Sequence, residues 1–348
     1  MDKRWDVSVL GDLADVYAGR DIYAQERVDG DIPYVTAGTT NNGIGFFVGN
    51  DNDSKAKDSI SVSRNGAGVG TAFYHPYEAL FGNDCRRFVL KQNIGFGAHI
   101  YITKCIHYQR KAFSYSRKLG TARLKKLRIM LPVEEKGKPD WEYMEQTVKT
   151  MRVGLLARYK AYVLLQLSKL KFNAVPDTKD VKWGQFRIGS LFTVKRPKAR
   201  NKDDYDFGDI PFVASGAMNN GVMKCCSPKP GETLDQGGCI TVSPVDGSAF
   251  YQPIDFLGRG GAGSSVLMLY SKAINAYSGH FVAKMISQTC SKYTYGHMGN
   301  KDSIKRDTVM LPVAPSGEPD WEYMEQYAKN LMKRKYEQYL AYLDGSVV

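Results

Sequence analysis

The sequence predicts an α+β protein: two tandem-repeat β-rich domains joined by two long antiparallel coiled-coil helices. Three observations lead there. The octapeptide Pro-Asp-Trp-Glu-Tyr-Met-Glu-Gln occurs at residues 139–146 and again at 319–326, 180 positions later. Weaker echoes share nearly the same register along both halves, so one unit has been doubled. Within each half, turn-rich alternating segments come first and a long helical pattern comes last.

Each half opens on a tryptophan, Trp5 or Trp183, followed by Leu/Ile-Gly-x-Leu-x-x-Val at 10–16 and 188–194. Next come DIPYVTAGTTNNG at 31–43 and DIPFVASGAMNNG at 209–221. Asn-Asn-Gly is a strong turn signal. Short alternating or apolar runs at 32–36, 60–63, 72–74 and 87–90 read as strands. Segments 99–108 and 280–287 read as short helices on that sheet. A period near 180 exceeds any solenoid unit and matches a domain.

The closing helix of each half begins at Pro-Asp, where Asp140 and Asp320 can cap free amides and Glu142 and Glu322 suit the helix dipole. Glu145 with Lys149, and Glu325 with Lys329, form i,i+4 pairs. Apolar residues recur at Met144, Val148, Met151, Leu155, Tyr162 and Leu165. The second helix repeats this at Met324, Ala328 and Leu331, then slips by one to Met332, Tyr336, Tyr339 and Leu343. Spacings of four and three make a coiled-coil seam. The expected boundaries are 1–138 and 183–318 for the sheet domains, 139–171 and 319–344 for the helices, and 172–182 for a Pro176-containing linker.

Charge supplies the functional signal. The formal net charge is +12. Residues 85–133 contain twelve Lys or Arg and no Asp or Glu, and 256–301 contain five basic residues and again no acid. A charge run is usually a solvated face. Excluding acids from the same part of both copies is the footprint of a surface that meets a polyanion. No apolar run approaches the length of a membrane span, and the N-terminal residues lack a secretory hydrophobic segment. Six cysteines show no CxxC spacing, which fits a reduced, cytoplasmic setting without a disulfide framework or zinc site.

Catalytic signatures are weak. Residues 258–263 fit GxGxxG, but the other copy lacks those glycines, so they read as a flexible loop rather than a shared phosphate cradle. There is no P-loop, HExxH or GxSxG, and no Asn-Pro-Pro-aromatic run of an amino-methyltransferase. The five histidines have no metal spacing.

Sheet domain, Leu-Pro lead-in (131–132, 311–312), Glu-Gln helix (Glu145-Gln146, Glu325-Gln326), then the same again: the chain resembles the specificity (S) subunit of type I restriction–modification systems, including the compact S subunits of BcgI-like type IIB enzymes. The resemblance covers essentially the whole sequence. It implies two target recognition domains separated by helical spacers, and a non-catalytic reader of a bipartite duplex DNA site. The implied partners are double-stranded DNA, DNA methyltransferase (modification) subunits, and a restriction subunit or a nuclease fused to the methylase. No cofactor is implied for this chain; S-adenosylmethionine belongs to the partner methyltransferase. The usual Pro-Leu-Pro-Pro junction is here Leu-Pro-Val with an insert at 134–138 and 314–318.

Phosphate contacts position a protein on DNA and base-edge contacts specify sequence. The repeat-matched segments are therefore expected to be scaffold and the differing ones to hold the readers. In the first copy these are Arg64, Asn65, Arg86, Arg87, Arg110, Lys111, Tyr115, Arg117, Lys118 and Arg123. In the second they are Lys195, Arg196, Lys198, Arg200, Arg259, Lys292, Tyr293, Tyr295, Lys301 and Lys305. Arginine suits guanine edges and asparagine suits adenine. The interleaved aromatics are candidates to stack on an exposed base, with core packing the plainer role, above all for Phe113. Two other readings stay open: a stand-alone S-adenosylmethionine-dependent enzyme, which would bind that cofactor without partners, and a tandem protein or glycan interaction module, whose binding would be insensitive to salt.

Overall fold

The computed structural model describes residues 3–66, 68–114, 117–261 and 265–345. It divides into two compact units, residues 1–159 and 160–348. The repeat seen in the sequence is repeated in the fold. In the first unit, strand Trp5–Val9 pairs antiparallel with Arg128–Pro132, so the opening tryptophan meets the Leu-Pro lead-in. Trp183–Arg187 pairs with Thr308–Pro312 in the same way. The inserts after each lead-in are small hairpins: Glu134 N–H donates to Lys138 O (2.8 Å), and Ala314 N–H to Glu318 O (2.9 Å). Gly137 (φ 76°) and Gly317 (φ 87°) supply their left-handed residues, a conformation that favours glycine.

Each unit holds a four-stranded antiparallel sheet. Its spatial order is Ala14–Ala18, Cys85–Leu90, Ser59–Ser63, Ala72–His75 in the first. In the second it is Thr193–Lys195, Leu267–Tyr270, Cys239–Val242, Ala249–Gln252. A three-stranded sheet lies beside each, with strand Ile32–Val35 or Phe207–Val213 at its centre. The Asn-Asn-Gly turns run through three consecutive left-handed residues: Asn41, Asn42 and Gly43, and again Asn219, Asn220 and Gly221. Asparagine is among the few non-glycine residues that tolerate that region.

The expected short helices are present and longer, Phe96–Tyr108 and Ser278–Cys290. Ala98, Ile102 and Ile106 are buried in one core with Ile60, Val62 and Phe88. Val282, Ala283 and Ile286 are buried with Ile240, Val242 and Leu269 in the other. The Leu/Ile-Gly motif has a steric cause. Leu10 and Ile188 are fully buried, and a Cβ on Gly11 or Gly189 would stand 2.9 Å from the carbonyl oxygen of Lys125 or Lys305.

The long helices are Trp141–Lys169 and Trp321–Leu343. The first spans about 44 Å at ~1.5 Å per residue. Asp140 and Asp320 cap them as expected, each Oδ1 accepting from the tyrosine amide three residues on (2.9 Å). Glu325 pairs with Lys329. Glu145 instead turns to the short helix, its Oε2 accepting from Ala98 N–H (2.9 Å) at that helix's amide end, where a carboxylate is favoured. Met144 and Met324 anchor the first turn of each helix in its own core. Within the second unit, Lys160 Nζ meets Asp344 Oδ1 (3.0 Å), Tyr162 packs edge-on against Tyr336, and Gln326 donates to Lys171 O (2.9 Å). Not all of the expected seam is covered: Met151, Leu155 and Leu165 are more than half exposed. Apolar periodicity marks a face able to be buried, not which surface buries it.

Candidate nucleic-acid interface

The expected DNA-contacting residues come from segments far apart in sequence, and the sheet edge decides which of them meet. Strand register sets Ser63 opposite Cys85 in the first repeat. Arg64 begins the loop beyond, its N–H donating to Asp84 O (2.9 Å). Arg64 Nη2 lies 3.7 Å from Asp84 Oδ1, which also accepts weakly from Asn65 Nδ2 (3.4 Å). The acid-free segment folds over this loop. Leu119 N–H donates to Arg64 O (3.2 Å), and Gly70 packs so close that a Cβ would sit 3.0 Å from Arg110 Cα. A groove of about 600 Å³ results, lined by Gly66, Val69, His107, Arg110, Lys111 and Phe113 among others. A second, of about 480 Å³, is bordered by Phe113, Arg117, Arg123, Lys126 and Arg128. Arg117 lies 5.9 Å from the Phe113 ring, and Arg123 donates to Lys118 O (2.7 Å). Lys111, Arg117, Lys118 and Arg123 are exposed. Burial, then the charges of Lys104 and Arg110, lower the His107 pKa, so the imidazole registers the positive field of its surroundings.

The second repeat builds the same corner with different residues. Loop 244–247 packs on the segment after the short helix: Gly299 N–H donates to Pro244 O (2.8 Å), and a Cβ on Gly247 would stand 2.0 Å from Cys290 O. Tyr295 projects from that segment, 83% exposed. Lys301 and Lys305 are half-buried on the turn Lys301–Arg306. Lys292 is exposed but bonded to Asp307 Oδ1 (2.6 Å). On the other flank, residues 195–200 run beside Gly258 and Gly260, a Cβ on the latter meeting Pro197 O at 2.2 Å. This gathers exposed Lys195, Arg196 and Lys198 near half-buried Arg259.

Four of the expected contacts are interior instead. Arg86 donates to Asn83 O (2.8 Å) and Cys85 O (3.0 Å), and Arg87 to Ser54 O (2.5 Å) and Lys55 O (3.1 Å). Burial lowers the pKa of both guanidinium groups. Strand register gives the reason: Arg86 faces Val62, as Leu267 faces Val242, and Arg87 faces Ser61, as Met268 faces Thr241. These are core positions, filled by apolar residues in the other repeat. Arg200 is bonded to Glu232 (2.7 Å) and Asp235 (2.6 Å) with its side chain 2% exposed. Tyr293 is buried and donates to Asp307 Oδ2 (2.7 Å), so its ring is not open to a base. Tyr115 lies outside the described residues. Two residues escaped the sequence reading: Asp84, which braces Arg64, and Arg20, exposed at the repeat position of Lys198. Aligning Val16 with Val194 would have flagged Arg20.

Among the described residues no group of three or more His, Cys, Asp or Glu is placed to hold a metal ion, and no helix is long and apolar enough to cross a membrane. A family profile described as the type I restriction modification DNA specificity domain matches twice, over residues 2–157 and 180–339. The chain belongs to that family. Its role is DNA specificity in a restriction–modification system, apart from catalysis. It is 27% identical over 329 residues to the specificity subunit of the type II restriction enzyme BcgI from Heyndrickxia coagulans, covering 93% of each chain. Among solved structures it is similar to a type I S subunit from M. genitalium (14% identity, TM-score 0.49, 99% of this chain and 93% of that one). It is also similar to the HsdS subunit from Thermoanaerobacter tengcongensis (14% identity, TM-score 0.30, 99% and 92%). Both matched DNA specificity domains include the sheet-edge corner with its basic overlay.

Proposed function

We propose that each repeat of this specificity chain reads one half of a bipartite duplex DNA site, with residues 1–138 and 183–318 as the two recognition domains. The observation that carries this is the shared corner. Matched scaffold gathers exposed basic or aromatic residues at this corner in both repeats, and those residues differ: Lys111, Arg117 and Arg123 in one, Arg196, Lys198 and Tyr295 in the other. Basic side chains supply the phosphate contacts, and residue differences at fixed geometry supply two different base readouts. Helices 139–171 and 319–344 serve as an antiparallel coiled-coil spacer, a reading supported by the Lys160–Asp344 and Gln326–Lys171 contacts. The exposed Met151, Leu155 and Leu165, which share one side of the helix, offer an apolar face for DNA methyltransferase subunits, which bring S-adenosylmethionine and the methylation chemistry. The complex works in the cytoplasm, where the cysteines remain thiols.

Methylome sequencing of cells carrying the complex tests this reading. Exchanging residues 1–138 for those of a relative is expected to change one half of the methylated motif and leave the other intact. A motif that changes in both halves, or in neither, refutes it.

A further inference from the structure

The two repeats carry the same short glycine-rich sequence in different loops. Repeat one reads Arg64-Asn65-Gly66-Ala67-Gly68, and repeat two reads Arg259-Gly260-Gly261-Ala262-Gly263. The first follows strand Ser59–Ser63, while the second leaves strand Leu257–Gly258. These are not equivalent chain positions. Gly82 N–H donates to Val35 O (2.9 Å), and Arg259 N–H to the matching Val213 O (2.8 Å). Cys85 N–H then returns to Gly82 O (2.9 Å), and Val266 N–H to Arg259 O (3.1 Å). Arg259 thus stands where repeat one has Gly82. The loop lengths trade off. In repeat one the Ser63–Thr71 bond (2.8 Å) closes a long loop, 64–70; in repeat two the Ser243–Ser248 bond (2.8 Å) closes a short one, 244–247. The neighbouring loop is short in repeat one, 83–84, and long in repeat two, 260–265.

Both loops leave the same edge of the sheet, because Ser63 pairs with Cys85 and Val242 with Leu267. Each repeat therefore brings the arginine that opens this sequence, Arg64 or Arg259, to the same corner from alternate hairpins. A folding requirement inherited by duplication would keep its place in the chain. A requirement set by a ligand keeps only its place in space. The corner also holds unmet hydrogen-bonding capacity: Arg64 Nε, Asn65 Oδ1 and Thr71 Oγ1 are shielded and make no hydrogen bond, and Thr71 is only 1% exposed. Shielded polar atoms without partners are costly and rare.

We infer that Arg64 and Arg259 are matched specificity-determining residues, each presenting its guanidinium fork to a guanine edge in its own half of the DNA site. The brace from Asp84 steadies Arg64 for a two-pronged contact, which a mobile surface arginine bound to phosphate does not need. Gly66, left-handed (φ 75°) with open space where a Cβ would stand, lets the backbone beside Arg64 come close to the duplex. This inference rests on the half-site reading proposed above.

The test uses the chain assembled with its methyltransferase subunits and duplexes carrying every single-base change in the methylated motif. Arg64→Ala and Arg64→Lys are both expected to relax discrimination at one G·C pair in the half-site of residues 1–138, by about 10- to 100-fold. Arg259→Ala and Arg259→Lys do the same in the other half. Lysine keeps the charge and lacks the fork, and it is the informative arm should an alanine variant fail to fold. Uniform weakening on every duplex, rescued by lysine, identifies a phosphate contact and overturns the inference. Unchanged preferences at every position overturn it too. The exchange of residues 1–138 in an otherwise unaltered chain reports separately on the half-site reading, so the two failures are distinguishable.

Discussion

Replacing Arg200 exposes how the second repeat holds the flank that carries Lys195, Arg196 and Lys198. The guanidinium donates to Glu232 Oε1, Asp235 Oδ2, Thr233 O and Gly258 O at 2.6–3.1 Å. Arg200→Ala leaves two largely shielded carboxylates facing each other without their cation. Breaking a buried pair in this way costs about 3–5 kcal/mol. In a unit of this size that corresponds to a melting shift of roughly 6–20 °C. The penalty has a pH signature. Burial alone would raise the Glu232 carboxyl, but bonds from Arg200, Tyr205 and the Lys229 amide outweigh it and hold the pKa below its ordinary 4.5. A folded pKa lower than the unfolded one adds stability above the unfolded value and loses it as pH falls through the folded one. Without Arg200, burial dominates and protonation becomes favourable in the fold. The cost of Arg200→Ala is therefore largest at pH 7 and shrinks as pH falls through the carboxylate range. Thermal unfolding of the full chain measures it, with peptide-resolved hydrogen exchange assigning the change to residues 160–348. A loss under about 1 kcal/mol at pH 7, within the range of ordinary surface changes, or a penalty that does not shrink in acid, refutes the reasoning.

Other substitutions probe the scaffold. His75 is fully buried, bonded to Ser61 Oγ (2.8 Å), and burial lowers its pKa to about 4. The folded state thus resists protonation, and up to roughly 3 kcal/mol of stability is lost as pH falls from 6.5 to 4. Gln252 makes the matching bond to Thr241 in the other repeat (2.9 Å). His75→Gln is accordingly expected to fold and to flatten that pH dependence in urea titrations; an unchanged slope would exclude His75 as its source. Asp140→Ala and Asp320→Ala each remove a helix cap and should cost about 1 kcal/mol, read as earlier melting of the unit concerned, with no change counting against the cap. Gly247→Ala combines a left-handed φ of 71° with a Cβ 2.0 Å from Cys290 O. It should cost at least 1–3 kcal/mol, and a neutral result in denaturant unfolding would show that loop 244–247 moves freely.

Much of the architecture was legible in the chain alone, because it is written in local chemistry and written twice. Asp140 and Asp320 cap their helices, the Asn-Asn-Gly runs turn left-handed, and the Trp5 and Trp183 strands begin matched units. Each depends on residues close in sequence, and duplication made each signal visible against its copy. Which basic residues face outward depended on the tertiary fold. Arg86 and Arg87 lie in the acid-free window like Lys111 and Arg117, yet strand register turns them toward the positions that Leu267 and Met268 fill. Arg200 lies two residues from exposed Lys198 and is locked by carboxylates more than thirty positions away. Charge composition reports which stretches are rich in cations and free of acids. Side-chain direction and long-range partners decide which of those cations are exposed, and those are set only when the sheet closes.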